Sequence, residues 1–207
     1  MSTVVLNRAS LNTAELGVYP GISMANVNLV NTEAQALASF DALMAADAVG
    51  FDTESKPTFL KGEASTGPHL IQLATDSQVF LFQITSSQAI HFLKEILESP
   101  TLLKVGFGLG NDRSALQAKL GIDLTNLLDL GVVLRGPGHK GTVGAKVATA
   151  HFFAQRLQKS KKIGTSNWSN PHLTERQLLY AANDAHVALL IYRAWLSTTQ
   201  GRAPESD

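Results

Sequence analysis

Residues 48–54 read Ala48-Val49-Gly50-Phe51-Asp52-Thr53-Glu54, an apolar run that ends in two acids with one residue between them. Such a run reads as a strand, and alternate residues on a strand share a face, so Asp52 and Glu54 present both carboxylates to one point. Outward from it the chain alternates strands and helices. Val27 to Val30 reads as a short edge strand, and Thr32 with Gln35 fits a capping box opening a helix to about Met44, with Leu37, Phe40 and Leu43 at helical spacing. Strands are predicted at 69–75 and 79–84, joined by Asp76-Ser77-Gln78 as a hairpin turn, then a helix capped by Ser86 or Ser87 that runs to Glu98 before Pro100. A strand over 102–107, a helix from near Asn111, and helices over 126–135, 142–155 and 174–196 complete the pattern. Antiparallel strands followed by strand–helix units predict an α/β fold, a mixed sheet of about five strands flanked by helices on both faces.

At 207 residues and 44% hydrophobic content the chain suits one domain, expected over 26–196, after an irregular N-terminal extension (1–25) and before a disordered tail (197–207). Cysteine is absent, which excludes disulfides, thiolate zinc sites and a cysteine nucleophile and leaves oxygen ligands for metals. No apolar run approaches the ~20 residues of a membrane span and the N-terminus lacks a secretion-signal layout, so a soluble, cytoplasmic protein with no membrane contact is expected. Net charge is zero but unevenly spread: residues 1–55 hold six acids against Arg8 alone, whereas 130–174 contain no acid and carry Arg135, Lys140, Lys146, Arg156, Lys159, Lys161 and Lys162. A basic stretch opposite an acidic one suits phosphate on one side of a cleft and metal on the other, although a solvated surface fits the charges equally.

The upstream acids are answered by Tyr180 and Asp184 in Leu178-Leu179-Tyr180-Ala181-Ala182-Asn183-Asp184-Ala185, four apart and therefore on one helix face. A further acid, Asp112, follows the strand end Gly106-Phe107-Gly108-Leu109-Gly110; alone it reads as an acid favoured by the helix dipole. That glycine run imitates a dinucleotide-binding loop, with Asp129 at about the distance of a ribose-binding acid, but Asn111 stands where glycine is needed and Asp112 would face the pyrophosphate. The long loop from Ser55 to Pro68 stands where a lid would be placed.

Together these segments resemble the DEDD superfamily of 3′ to 5′ exonucleases in its tyrosine-bearing branch, which includes ribonuclease D, the Werner-type exonuclease domain and proofreading domains of some DNA polymerases. Asp52-Thr53-Glu54 matches the first family motif, Asp112 the second, and Tyr180 with Asp184 the third; His69-Leu70-Ile71-Gln72-Leu73-Ala74 and Lys159 through Ser166-Asn167-Trp168 add to the likeness, which covers roughly residues 27–195. The resemblance implies a ribonuclease H-like fold, a nucleic-acid partner, DNA or RNA, with a free 3′ end, and hydrolysis supported by two Mg²⁺ or Mn²⁺ ions about 4 Å apart. It further implies that Asp52 bridges both ions, that Glu54 and Asp184 hold the one carrying the nucleophilic water, that Asp112 holds the second, and that Tyr180 orients the water. Gln72, Lys159, Lys161, Lys162 and Trp168 are the candidate nucleic-acid contacts, Trp168 reading either as a base-stacking residue or as packing beneath the last helix. Ribonuclease D-type members carry further helical domains that this chain ends too soon to contain, so substrate handling is expected from the catalytic domain, an oligomer or a protein partner. A noncatalytic nucleic-acid-binding module of the same fold is the rival reading; the intact set of four acids and a tyrosine speaks against it.

Overall fold

The computed structural model describes residues 15–58, 60, 62–84, 90–135 and 141–200. Their elements run β1 (Gly17–Val18), β2 (Val27–Val30), α1 (Glu33–Met44), β3 (Ala48–Glu54), β4 (Leu70–Ala74), β5 (Val79–Gln83), α2 (Ile90–Glu98), β6 (Leu103–Gly106), α3 (Asp112–Leu120), β7 (Leu127–Asp129), α4 (Leu130–Val133), α5 (Ala145–Phe153), β8 (Gln155–Arg156), α6 (Lys161–Gly164) and α7 (Glu175–Gln200). The predicted capping box is present: the Thr32 hydroxyl accepts the Gln35 N–H while the Gln35 side chain accepts the Thr32 N–H. The predicted hairpin is present too, closed by the Thr75 N–H on the Gln78 carbonyl at 2.9 Å and by the Thr75 hydroxyl.

The main sheet has six strands in the order β2-β5-β4-β3-β6-β7, with β3, β4 and β5 antiparallel and β2, β6 and β7 each parallel to the neighbour they join. Alternation along the strands sorts the core into two layers. Val49, Phe51, Ile71, Leu73, Phe80 and Phe82 face Ala36 and Leu43 of α1, Leu93 and Ile96 of α2, and Leu116 of α3. The opposite face turns Leu70, Ala74, Val79 and Leu81 toward Ala181, Ala182 and Ala185 of α7. These alanines let α7 approach the sheet closely, and β3 answers with Gly50, where a methyl group would overlap the Ala185 carbonyl. At the start of β3, Arg193 of α7 donates to both Asp47 oxygens (2.6 and 2.7 Å) and to both Asp76 oxygens (3.1 and 3.2 Å), joining helix, strand start and hairpin turn.

Four expectations are corrected. The helix predicted over 126–135 is instead the sixth strand, β7, followed by the single turn α4; Asn126 takes a positive φ of 47° and its carbonyl accepts the Lys104 N–H, which docks Leu127 and Leu128 beside β6. The leucines of that stretch fit a buried strand as well as a helix face, and pairing decides. The N-terminal extension is not wholly irregular, since Gly17 and Val18 pair in parallel with Gln155 and Arg156 and the Ile22 N–H donates to Asn183 Oδ1 at 2.9 Å. The final helix continues to Gln200, four residues into the expected tail. The helix expected over 142–155 is shorter, ending at Phe153 because Ala154 turns left-handed. The proposed caps Ser86 and Ser87 and the residues after 200 lie outside the described residues. Among the described residues no helix is long and apolar enough to cross a membrane.

Candidate active site

The pairing of β3 with β6 stops at Gly50 and Val105, while β4 accompanies β3 to Glu54. The last residues of β3 therefore overhang β6, and the chain leaving β6 turns across the gap. Gly108 and Leu109 donate their N–H groups to the Asp129 carboxylate at 3.1 and 3.0 Å, and Gly131 donates to it at 2.8 Å. The amides that a pyrophosphate would occupy are thus bound to the chain's own acid, so Asp129 is an anchor for the turn that delivers Asp112.

Asp52 and Glu54 share the face of β3 that carries Gly50 and hence face α7, where Tyr180 and the buried Asp184 lie one turn apart. Thr53 points to the other face, and its hydroxyl donates to Asp112 Oδ1 at 2.5 Å. Alternation on β3 therefore holds three acids around one strand end, two from one face and one from the other. Lys159 enters from the segment before α6, its ammonium 2.9 Å from Asp184 Oδ2 and 5.9 Å from the centre of the Tyr180 ring. The Tyr180 hydroxyl end lies against Gly164, where a side chain would crowd it.

Burial and mutual repulsion act on these acids together. Burial, then the Asp184 charge, raises Asp52 to about 8 against the opposing pull of Lys159. Burial, then Asp52 and Asp184, raises Glu54 to about 9. Asp112 is raised by burial in spite of the Thr53 hydrogen bond, and Asp184 by burial in spite of Lys159. For Lys159 burial favours the neutral amine, but the attraction and hydrogen bond of Asp184 together with Asp52 and Glu54 outweigh it and hold the ammonium charged. Burial and then Asp184 push the Tyr180 phenol above its ordinary value, so it keeps its proton and acts as a donor at neutral pH. Carboxylates crowded to this degree are short of positive charge, and their donor set is all oxygen, which fits a hard divalent cation. Among the described residues no group of three Asp, Glu or His side chains is arranged to hold a metal ion as it stands, the Lys159 ammonium being the cation among them.

The other sequence-predicted residues separate. Lys161 and Lys162 are exposed on α6. Trp168 is wholly buried, its indole N–H donating to the Gly164 carbonyl at 3.1 Å, which corrects the base-stacking expectation: the ring packs beneath α7. Gln72 is likewise fully buried, directly across the strand pair from Asp52, and neither amide atom has a hydrogen-bond partner, so it offers no surface to a strand as placed here. Thr53 and Lys119 carried no signal in the sequence. Lys119 donates to the carbonyls of Thr66 and Pro68 at 2.6 and 2.7 Å, pinning the loop after β3 to α3. Loop and helix enclose a groove of about 830 Å³ that reaches Thr53 and Asp112 and is lined by Ser55, Ser65, Thr66 and Asn111.

Residues 27–198 match a family model described as 3′-5′ exonuclease. The chain is 34% identical over 149 residues to the bifunctional 3′-5′ exonuclease/ATP-dependent helicase WRN of Mus musculus, covering 71% of this chain and 11% of that protein. Among solved structures the Nibbler EXO domain of Aedes aegypti superposes with a TM-score of 0.71 at 28% identity, over 86% of this chain and 92% of that one. RNase D of Escherichia coli, an exoribonuclease, shares the fold with a TM-score of 0.72 at 23% identity, over 85% of this chain and 46% of that one. The chain spans between 11% and 51% of the length of curated relatives.

Proposed function

Because the chain belongs to the 3′-5′ exonuclease family, we propose that it hydrolyses DNA or RNA from a free 3′ end, releasing nucleoside 5′-monophosphates, with two divalent ions and in the manner of the tyrosine-bearing branch. The observation that carries this reading is the meeting of Asp52, Glu54, Asp112 and Asp184 around one overhanging strand end beside Tyr180.

Asp52, Glu54, Asp112 and Asp184 would hold Mg²⁺ or Mn²⁺. Bound there, such ions lower the pKa of water and offset charge on the attacking and leaving oxygens of a phosphodiester. The Thr53 hydroxyl fixes one oxygen of Asp112 and leaves the other free to act. The Thr53 N–H does the same for Asp52 Oδ1 at 2.9 Å. Tyr180 keeps its phenolic proton and orients a water or phosphate oxygen as a donor; a protonated phenol has no base to offer. Lys159 balances Asp184 until other positive charge arrives.

The test is a time course with Mg²⁺ or Mn²⁺ on 5′-labelled single-stranded DNA, single-stranded RNA and recessed duplex, beside Asp52→Asn and Asp184→Asn. A ladder shortening from the 3′ end, lost in both variants and in chelator, is the expected result. Cleavage of circular strands, or no cleavage by the folded protein with metal, overturns the assignment, the latter leaving a binding module.

A further inference from the structure

Lys146 of α5, Arg156 of β8 and Lys159 line one cavity of about 460 Å³, together with Leu157, Gln158 and Ser160. Lys159 spends its charge on Asp184. Lys146 and Arg156 are exposed, and no ion pair engages either among the described residues. Nor does the chain bring an acid near them in sequence, since none occurs between Leu130 and Thr174. Like charges gathered at one cavity repel, and an anion seated there removes that cost. The cavity is joined to the acidic centre by Lys159 itself. It is also joined by the segment Leu157, Gln158 and Ser160, which lines a second cavity of about 370 Å³ reaching Tyr180 as well.

We propose that the Lys146, Arg156 and Lys159 cavity binds backbone phosphates of the nucleic-acid strand whose 3′ end lies at the carboxylates. The inference rests on the exonuclease reading and names how that site holds its substrate. Phosphate oxygens are the commonest partners of lysine and arginine on nucleic acid, and such contacts fix the backbone without reading sequence. Leu157, Gln158 and Ser160 line both this cavity and the one that reaches Tyr180, so a strand ending at the carboxylates has a continuous path past Lys146 and Arg156.

The experiment measures anisotropy of a 5′-labelled single-stranded oligonucleotide in chelator, where hydrolysis is silent, over a range of salt. Wild type is compared with the double variant Lys146→Gln, Arg156→Gln, and with Lys94→Gln on α2 across the sheet; circular dichroism confirms that each is folded. The double variant is expected to bind roughly tenfold more weakly, with a salt slope shallower by about 1.4, the release expected for two phosphate contacts on a single strand. Unchanged affinity and slope overturn the proposal, as does an equal loss in Lys94→Gln, which would make the effect one of net charge. Loss of nucleoside 5′-monophosphate or inorganic phosphate binding with strand binding intact overturns the strand assignment. If wild type shortens strands from the 3′ end while the double variant binds like wild type, only the cavity proposal fails. If wild type neither binds nor shortens any strand, the exonuclease reading fails with it.

Discussion

Lys159 faces three acids, Asp184 in direct contact and Asp52 and Glu54 behind it. Lys159→Met keeps the length of the side chain and removes the charge, so divalent ions should bind the protein more tightly, on the order of tenfold, the factor that one pKa unit of electrostatic bias represents. Calorimetric titration with Mn²⁺ without nucleic acid checks this, and unchanged affinity would mean that the ammonium does not compete for Asp184. Gln72 presents the opposite case: its amide is buried without partners and so costs free energy in the native state. Gln72→Met, similar in volume, should raise stability by about 1 kcal/mol, read as a higher urea midpoint; a lower midpoint would reveal a partner for the amide. The acids themselves were legible in the sequence because alternation on a strand and the four-residue repeat on a helix are local rules. The bond from Thr53 to Asp112 was not, because it depends on α3 crossing the strand end from the other face.

At the scale of elements, closeness between α7 and β3 is set by what is missing from Gly50 and by small side chains on the helix. Gly50→Ala has to displace helix backbone, and overpacking of this kind should cost about 3 kcal/mol, measurable by chemical denaturation. Because Asp52 lies on the same face two residues on, the variant should also lose nuclease activity out of proportion to its stability at low temperature. An Ala variant with native stability would show that α7 sits less tightly than described. The central strands were readable because each is a short apolar run bounded by turn residues, Asp76-Ser77-Gln78 most clearly. β7 has no such signature, since Leu127 and Leu128 satisfy either period and only a neighbour's hydrogen bonds choose between them. The pairing of Gly17 with Gln155 has no local trace at all, since its two halves lie far apart in the chain.

For the molecule as a whole, burial of uncompensated acids links folding to pH. Asp52 at about 8 and Glu54 at about 9 lie far above their ordinary values, so between those limits the native state holds more protons than the unfolded chain. Stability of the metal-free protein should therefore fall as pH rises from about 5 to 9, and Mg²⁺ should raise the melting temperature more at pH 8.5 than at pH 6. A melting temperature flat over that range without metal would mean that these carboxyls are not buried as described. Asp47 acts in the opposite sense. The Arg193 hydrogen bond holds it down at about 2, so its contribution is present above the ordinary carboxylate range and is lost only as pH falls through about 2. That contribution is small because the pair is largely solvated.

Arg193 ties α7 to Asp47 and Asp76 at one end of the sheet, while Tyr180 and Asp184 on the same helix stand over the other. Between those two ends the buried Ala181, Ala182 and Ala185 seat the helix on the sheet beside Gly50, so the whole stretch from Tyr180 to Arg193 is one clamped rod. Amide deuteration should be uniformly slow from Ala181 to Ile191, and Arg193→Ala should speed it only beyond that stretch; fast exchange next to Tyr180 would show that the helix is not seated there.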